Sequence, residues 1–228
     1  MGDQFMLYSK FDKASPAYDS AHEVFPAYGE VLYNQVIAES SRREAKKSLR
    51  EQVETLQLAR VLRPDDARLI HLQGITYTKR SQPREAMELD KAAIHRFPGY
   101  LDAYKNLALS YNRVTEMQKA VDTLEEMVAL ELPSKLIPGL EESIGQMYEG
   151  PLKQPAKALS HYKNGLKHTE LAFMRERLRA KVKELNKRIE RERLMREGKP
   201  VPKELLPEQP HDHAGEVLGV PGHEGHNH

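Results

Sequence analysis

The sequence predicts an all-α fold of repeated antiparallel helix pairs, and three observations carry that expectation. No segment keeps the strict alternation of a half-buried strand, whereas apolar residues recur three and four apart. Pro and Gly cut the first 165 residues into pieces of helical length. Pro64 and Pro98 stand 34 residues apart, and side chains of matched size repeat at that same interval.

Helices are expected at 66–80, 83–97, 101–114 and 118–130, each with a physical start. Asp65 or Asp66 supplies a cap for the first, and Thr115 with Gln118 reads as a capping box for the last. Pro83 and Pro155 suit a first helical turn, where the missing N–H costs no bond. Helices of about four turns joined by two to four residues must pack antiparallel.

Shifting the chain by 34 overlays Ile70 on Tyr104, Gly74 on Ala108, Tyr77 on Tyr111, Ala86 on Ala120 and Ala93 on Met127. Pro98 falls on Leu132, with Pro133 one place late. Counting from Ala67 or Leu101, small residues occupy positions 8 and 20 and large ones positions 4 and 11. Two antiparallel helices approach closely only where Gly or Ala stands at the crossing and larger neighbours fill the space around it.

This pattern resembles the tetratricopeptide repeat (TPR), a 34-residue helix–turn–helix unit. The resemblance covers residues 2–168 and implies a right-handed superhelical solenoid. Repeats are expected at 67–100, 101–134 and 137–168, the last with Ile144, Gly145, Tyr148, Ala158, Tyr162 and Gly165 and one extra turn residue. A degenerate repeat spans 29–66. It is four residues longer than the period, about one helical turn, and pairs 30–39 with a longer helix ending at Leu62. Val36 stands there where Gly is wanted.

Phe25-Pro26 and Phe97-Pro98 spell the same junction twice, both ending the second helix of a unit. Counting back from Pro26 puts Tyr18 at position 24, Phe5 at 11 and Gly2 at 8. Residues 1–28 thus read as a half repeat that starts inside its first helix. The expectation is a sequence cut from a longer repeat protein; a frayed half-repeat is the alternative.

From 169 to 197 a long amphipathic basic helix is expected, its stripe set by Leu171, Met174, Leu178, Val182, Leu185 and Ile189. Its first turns would cap the last repeat. Its remainder would project, pair as a coiled coil with a second copy, or bind a partner. Residues 198–228 read as a Pro-, Gly- and His-rich flexible tail.

Composition narrows the function. The net charge is +1, but residues 163–199 hold 13 Lys or Arg against 6 acidic residues. Cysteine is absent, which excludes disulfides, thiolate metal sites and Cys nucleophiles. No apolar run is long enough to span a membrane, and the first residues make no secretory signal. On the sequence as it stands the expected location is cytoplasmic, with membrane association only through a partner or an upstream region. No phosphate loop, dinucleotide fingerprint or nucleophile elbow is present, so the expectation is a protein that is not an enzyme and requires no cofactor.

Repeat solenoids expose a long inner face. The TPR resemblance implies that positions 2, 5, 9, 12 and 13 line it. These are Arg68, His71, Ile75, Thr78 and Lys79 in one repeat and Asp102, Lys105, Leu109, Asn112 and Arg113 in the next. The last repeat adds Gly139, Glu142, Gln146 and Glu149, and the degenerate one Glu30, Tyr33 and Ile37. A protein or peptide, acidic where it meets Lys79, Lys105 and Arg113, is the expected partner. The chaperone-tail clamp of some TPR proteins does not fit. Ile75 and Leu109 stand where its Asn belongs, although Asn34 and Asn106 occupy position 6.

Two further features bear on partners. His211 and His213, with His223, His226 and His228, could hold Zn²⁺, Ni²⁺, Cu²⁺ or Co²⁺ weakly, or serve only as a solubilising tail. Binding would fade below about pH 6, since imidazole must be neutral to ligate. Nucleic acid is disfavoured along the basic helix, because Glu176, Glu184, Glu190 and Glu192 interrupt its charge and no aromatic platform accompanies it. The rival to a groove-binding scaffold is a subunit that recruits metal or an anionic partner through this helix and tail.

Overall fold

The computed structural model describes residues 2–25, 28–42, 48–130 and 132–207. Eleven α-helices occur among them: α1 (Gly2–Leu7), α2 (Phe11–Val24), α3 (Gly29–Ser40), α4 (Leu49–Leu62), α5 (Ala67–Lys79), α6 (Pro83–Arg96), α7 (Leu101–Arg113), α8 (Met117–Val128), α9 (Ile137–Glu149), α10 (Pro155–His168) and α11 (Ala172–Arg196). The chain divides into two compact units, Met1–Val182 and Lys183–His228. In the first, helices pair in order (α1 with α2, through α9 with α10) and each pair packs on the next. This is an all-α solenoid of helix pairs.

The crossings obey the size pattern. A Cβ on Gly2 would stand 2.6 Å from the Tyr18 ring, one on Gly145 would stand 2.5 Å from the Tyr162 ring, and one on Gly74 would stand 3.0 Å from an Asp90 carboxylate oxygen. Each pairs position 8 of a first helix with the same place on its partner, one residue later in the last repeat because of its longer turn. Ala86, Ala93, Ala120 and Ala158 are fully buried, and Tyr104, Ala108 and Tyr148 nearly so. Tyr77 lies beneath the Arg80 guanidinium, and Lys91 and Lys119 flank Tyr111. Pro98 is exposed at its junction; Pro26 lies outside the described residues.

The turns within units share a closure that the size pattern did not reveal. Ser9, Ser81, Thr115 and Lys153 all have positive φ. Ser81 N–H bonds to Thr78 O and Gln82 N–H to Tyr77 O, and Thr115 and Glu116 repeat the arrangement on Asn112 and Tyr111. That is the Schellman closure of a helix, here without Gly at its left-handed position. It also corrects the expected Thr115 capping box. Thr115 closes α7, its hydroxyl donates to Val114 O, and α8 starts after Glu116 with no side-chain cap.

The degenerate repeat is longer for a different reason than expected. Helix α4 has 14 residues, like α6 and α10, so the extra length lies in the connection after Ser40. Ser48 and Glu51 form a reciprocal capping box that fixes where α4 begins. Val36 is accommodated in an apolar cluster with Leu32, Leu56, Ala59, Leu69 and Leu72.

Helix α11 begins at Ala172, three residues later than expected. Thr169 is extended, its carbonyl accepts from Arg175, and Leu171 is exposed rather than part of a buried stripe. Within the first unit, Leu178 is fully buried and meets Gly165 of α10. Burying such a side chain is worth about 1.5–3 kcal/mol. In the second unit, Gly198 at φ +66° ends the helix, with Lys199 N–H bonded to Leu194 O. The chain then reverses, and Arg191 donates to Leu205 O. Leu205, in the segment expected as flexible tail, is thus placed beside the helix.

Candidate functional site

The candidate face is built from α3, α5 and α7, the first helices of three successive units. Asp66 caps α5 by accepting from Arg68 N–H at 3.0 Å. Arg68 also reaches Glu30 at 3.1 Å and lies over the Tyr33 ring at 5.1 Å. Arg63 pairs with Glu30 and with Asp66. Burial pushes the Glu30 and Asp66 carboxyls upward. Hydrogen bonds from arginine (Arg68 for both, Arg63 also for Glu30) outweigh it and hold both below the usual carboxylate range.

Tyr100 packs edge-on to His71 at 5.0 Å. Its phenol is pushed up to about 12 by burial, reinforced by Tyr33 and Asp102. The N-terminal ends of α3, α5 and α7 therefore converge on two half-buried tyrosines. The acids and bases gathered there neutralise one another.

Beneath this face lies a polar layer that sequence reasoning missed. His71 is buried, not on the face, and its Nδ1 lies 2.7 Å from Asp90 of α6. Asn106 donates to the other Asp90 oxygen at 2.5 Å. Burial raises the Asp90 carboxyl above its ordinary range, and the bonds from His71 and Asn106 only partly offset this. His71 was placed on the inner face by its position in the repeat. A carboxylate at the Gly74 crossing draws it inward instead, because a buried carboxylate needs donors. Asn106 is half-buried for the same reason. The signal was available: Asp90 follows Gly74 by the interval that separates Tyr18 from Gly2.

A second layer joins the last two repeats. His161 Nδ1 lies 2.7 Å from the buried Glu141, its Nε2 lies 3.3 Å from Glu125, and Tyr148 donates to Glu125 at 2.8 Å.

At their C-terminal ends, α5 and α7 are tied together. Arg113 donates to Thr78 O at 2.8 Å, and the Thr78 hydroxyl reaches Asn106 and Ser110. Between the two ends, α7 exposes one stripe of Asp102, Lys105, Leu109, Asn112 and Arg113. Leu109 is 44% exposed, and Lys105 is paired with Asp102 at 3.1 Å. Among the described residues, Lys79 and Arg113 have no carboxylate partner within 4.0 Å. Positive charge is thus uncompensated along one edge, beside Ile75 and Leu109.

The face ends at the last repeat. Gln146 is exposed, but Glu142 is buried and paired with Arg177 of α11 at 2.5 Å. Glu142 was expected to be open to a partner. The helix that follows α10 covers it, starting where a further repeat would place its first helix. Among the described residues no group of three His, Cys, Asp or Glu side chains is placed so that it could hold a metal ion; His211, His213, His223, His226 and His228 lie outside them. Among the described residues, no helix is long and apolar enough to cross a membrane.

No protein-family model and no curated protein matches the chain. Solved structures do match. MamA superposes with a TM-score of 0.63 at 24% identity, over 74% of this chain and 94% of that one. A thermophilic TPR protein of Thermus thermophilus gives 0.55 at 18% identity, over 79% and 95%. YrrB, a TPR protein with an unusual peptide-binding site, gives 0.58 at 13% identity, over 78% and 88%. At these identities the likeness establishes the fold, which is that of TPR proteins.

Proposed function

We propose that this chain, whose helix pairs take the TPR fold, is a non-catalytic scaffold that binds a peptide or partner protein on the face of α5 and α7. One observation carries the reading. Leu109 and Ile75 border Lys79 and Arg113, whose charge no described carboxylate neutralises, on a stripe that no described helix covers. Solvated cations next to accessible apolar surface suit a partner carrying acidic and apolar side chains. A preformed face also spares most of the ordering cost of binding.

The rival reading, recruitment of an anionic partner by the basic helix, draws less support. Arg188 lies 3.7 Å from Glu192, Arg193 pairs with Glu190 at 2.6 Å, and Lys199 pairs with Glu197 at 2.7 Å. Part of that charge is spent on neighbouring carboxylates.

The test is selection from a displayed library of short random peptides, with wild type and a Lys79→Glu/Leu109→Asp variant that keeps its helical circular dichroism. Wild type should enrich sequences combining acidic with large apolar residues, and the variant should not retain them. Enriched peptides that bind both proteins equally would place binding elsewhere and defeat the reading.

A further inference from the structure

The face has a direction that narrows the partner further. Along α5, Lys79 follows Ile75 by four residues, and along α7, Arg113 follows Leu109 by four. Four residues are about one helical turn, so on each helix the cation lies roughly 6 Å beyond the apolar side chain, toward the C-terminal end. The bond from Arg113 to Thr78 O holds those ends side by side. The two apolar residues and the two cations therefore form matching rows on adjoining helices.

On α7 the exposed positions 102, 105, 109 and 112 recur at intervals of three and four. That is the spacing with which one helix meets another. At the opposite end the charges of Glu30, Asp66 and Asp102 are balanced by Arg63, Arg68 and Lys105. Among the described residues, only the C-terminal end of this face carries unbalanced charge.

We infer that the exposed face shared by α5 and α7 takes an amphipathic helix running antiparallel to them, with an acidic residue one turn before a large apolar one. This rests on the scaffold reading above and specifies its partner. One electrostatic effect sets the direction. An acidic side chain is favourable in the first turn of a helix and unfavourable in the last, so the turn that meets Lys79 and Arg113 is the partner's first. A parallel helix would bring its acidic residue into its own last turn.

Three synthetic peptides of one composition, titrated into the full chain by fluorescence anisotropy, test this. The first is a side-chain-bridged helix with Glu four places before Leu; the second carries the reversed sequence; the third has Pro in its middle turn. The first should bind at least about tenfold more tightly than either of the others. Lys79→Glu should abolish that preference, and Leu109→Asp should remove binding altogether.

Equal or tighter binding of the reversed or Pro-containing peptide overturns the antiparallel helix while leaving the scaffold reading intact, provided Leu109→Asp still removes it. Binding indifferent to both substitutions defeats the scaffold reading too. Failure of all three peptides overturns the inference. So does self-association of the free chain that Leu109→Asp abolishes, because a second copy would then be the occupant.

Discussion

His71 Nδ1 lies 2.7 Å from Asp90 Oδ1, and the same Asp90 oxygen stands where a Cβ on residue 74 would come within 3.0 Å. A carboxylate thus fills a crossing that Tyr18 and Tyr162 fill with rings elsewhere. Its geometry makes stability depend on pH. The carboxyl is raised in the folded state, chiefly by burial, so folding takes up protons above the unfolded value near ~4. The ionised group therefore costs stability as pH rises through its folded value.

Asp90→Asn removes that dependence while keeping the shape of the side chain. The stability of the variant relative to wild type should improve between pH 4 and pH 7. A fixed loss of about 1 kcal/mol from the altered bond to His71 is superimposed. Urea titrations across that range read the difference. A variant that loses ground as pH rises would show instead that the ionised pair with His71 stabilises the fold.

Crossings closed by a ring should tolerate less than the one closed by a carboxylate. A methyl on residue 145 would stand 2.5 Å from Tyr162 Cε1. That ring is fully buried, with its hydroxyl 2.7 Å from Glu149, so it has nowhere to retreat. Gly145→Ala should cost about 1–3 kcal/mol despite the roughly 1 kcal/mol that Ala gains in helix propensity. Gly74→Ala meets the Asp90 carboxylate no closer than 3.0 Å and should cost less. Chemical denaturation of both variants decides the order; a stabilised Gly145→Ala would contradict the packing described here.

The helix pairs were legible because packing requires small residues at fixed intervals, as Gly74, Ala86, Ala108 and Ala120 show. The face was less legible. Position within the repeat places a Cα, but not the side chain's preferred partner, so His71 turned inward to Asp90 and Glu142 toward Arg177. Asp90 escaped notice because a charged residue on a helix ordinarily marks the solvent side. Thr115 misled because Ser and Thr serve both caps and turns, and only the backbone dihedral separates the two roles.

That dihedral predicts a stabilising change. Thr115 sits at φ +62°, where a β-branched residue pays about 1–2 kcal/mol. Its side chain is exposed and its hydroxyl reaches only the neighbouring Val114 carbonyl. Thr115→Gly should raise stability by roughly 0.5–1 kcal/mol, the strain relieved being partly offset by the freedom Gly gains in the unfolded chain. Thr115→Val should lower it. Thermal denaturation of the pair gives the sign, and a destabilised Gly variant would show the turn to be unstrained.

The pairing of Arg177 with Glu142 makes the last repeat depend on the helix that follows it. Glu142 keeps only 9% of its side chain exposed, whereas Arg177 keeps 51%. Losing the cation leaves a nearly buried carboxylate without its counter-charge. Because the arginine is half in solvent, the cost falls below the roughly 3–5 kcal/mol typical of fully buried pairs, to about 1–3 kcal/mol. In a repeat array each unit leans mainly on its neighbours. Arg177→Glu should therefore speed hydrogen exchange in α9 and α10 and leave α5 and α6 almost unchanged. Adding Glu142→Arg should restore part of the protection, since the charges again oppose. Exchange in α9 and α10 that ignores Arg177→Glu would mean that apolar contacts, led by Leu178 against Gly165, suffice to hold α11 in place.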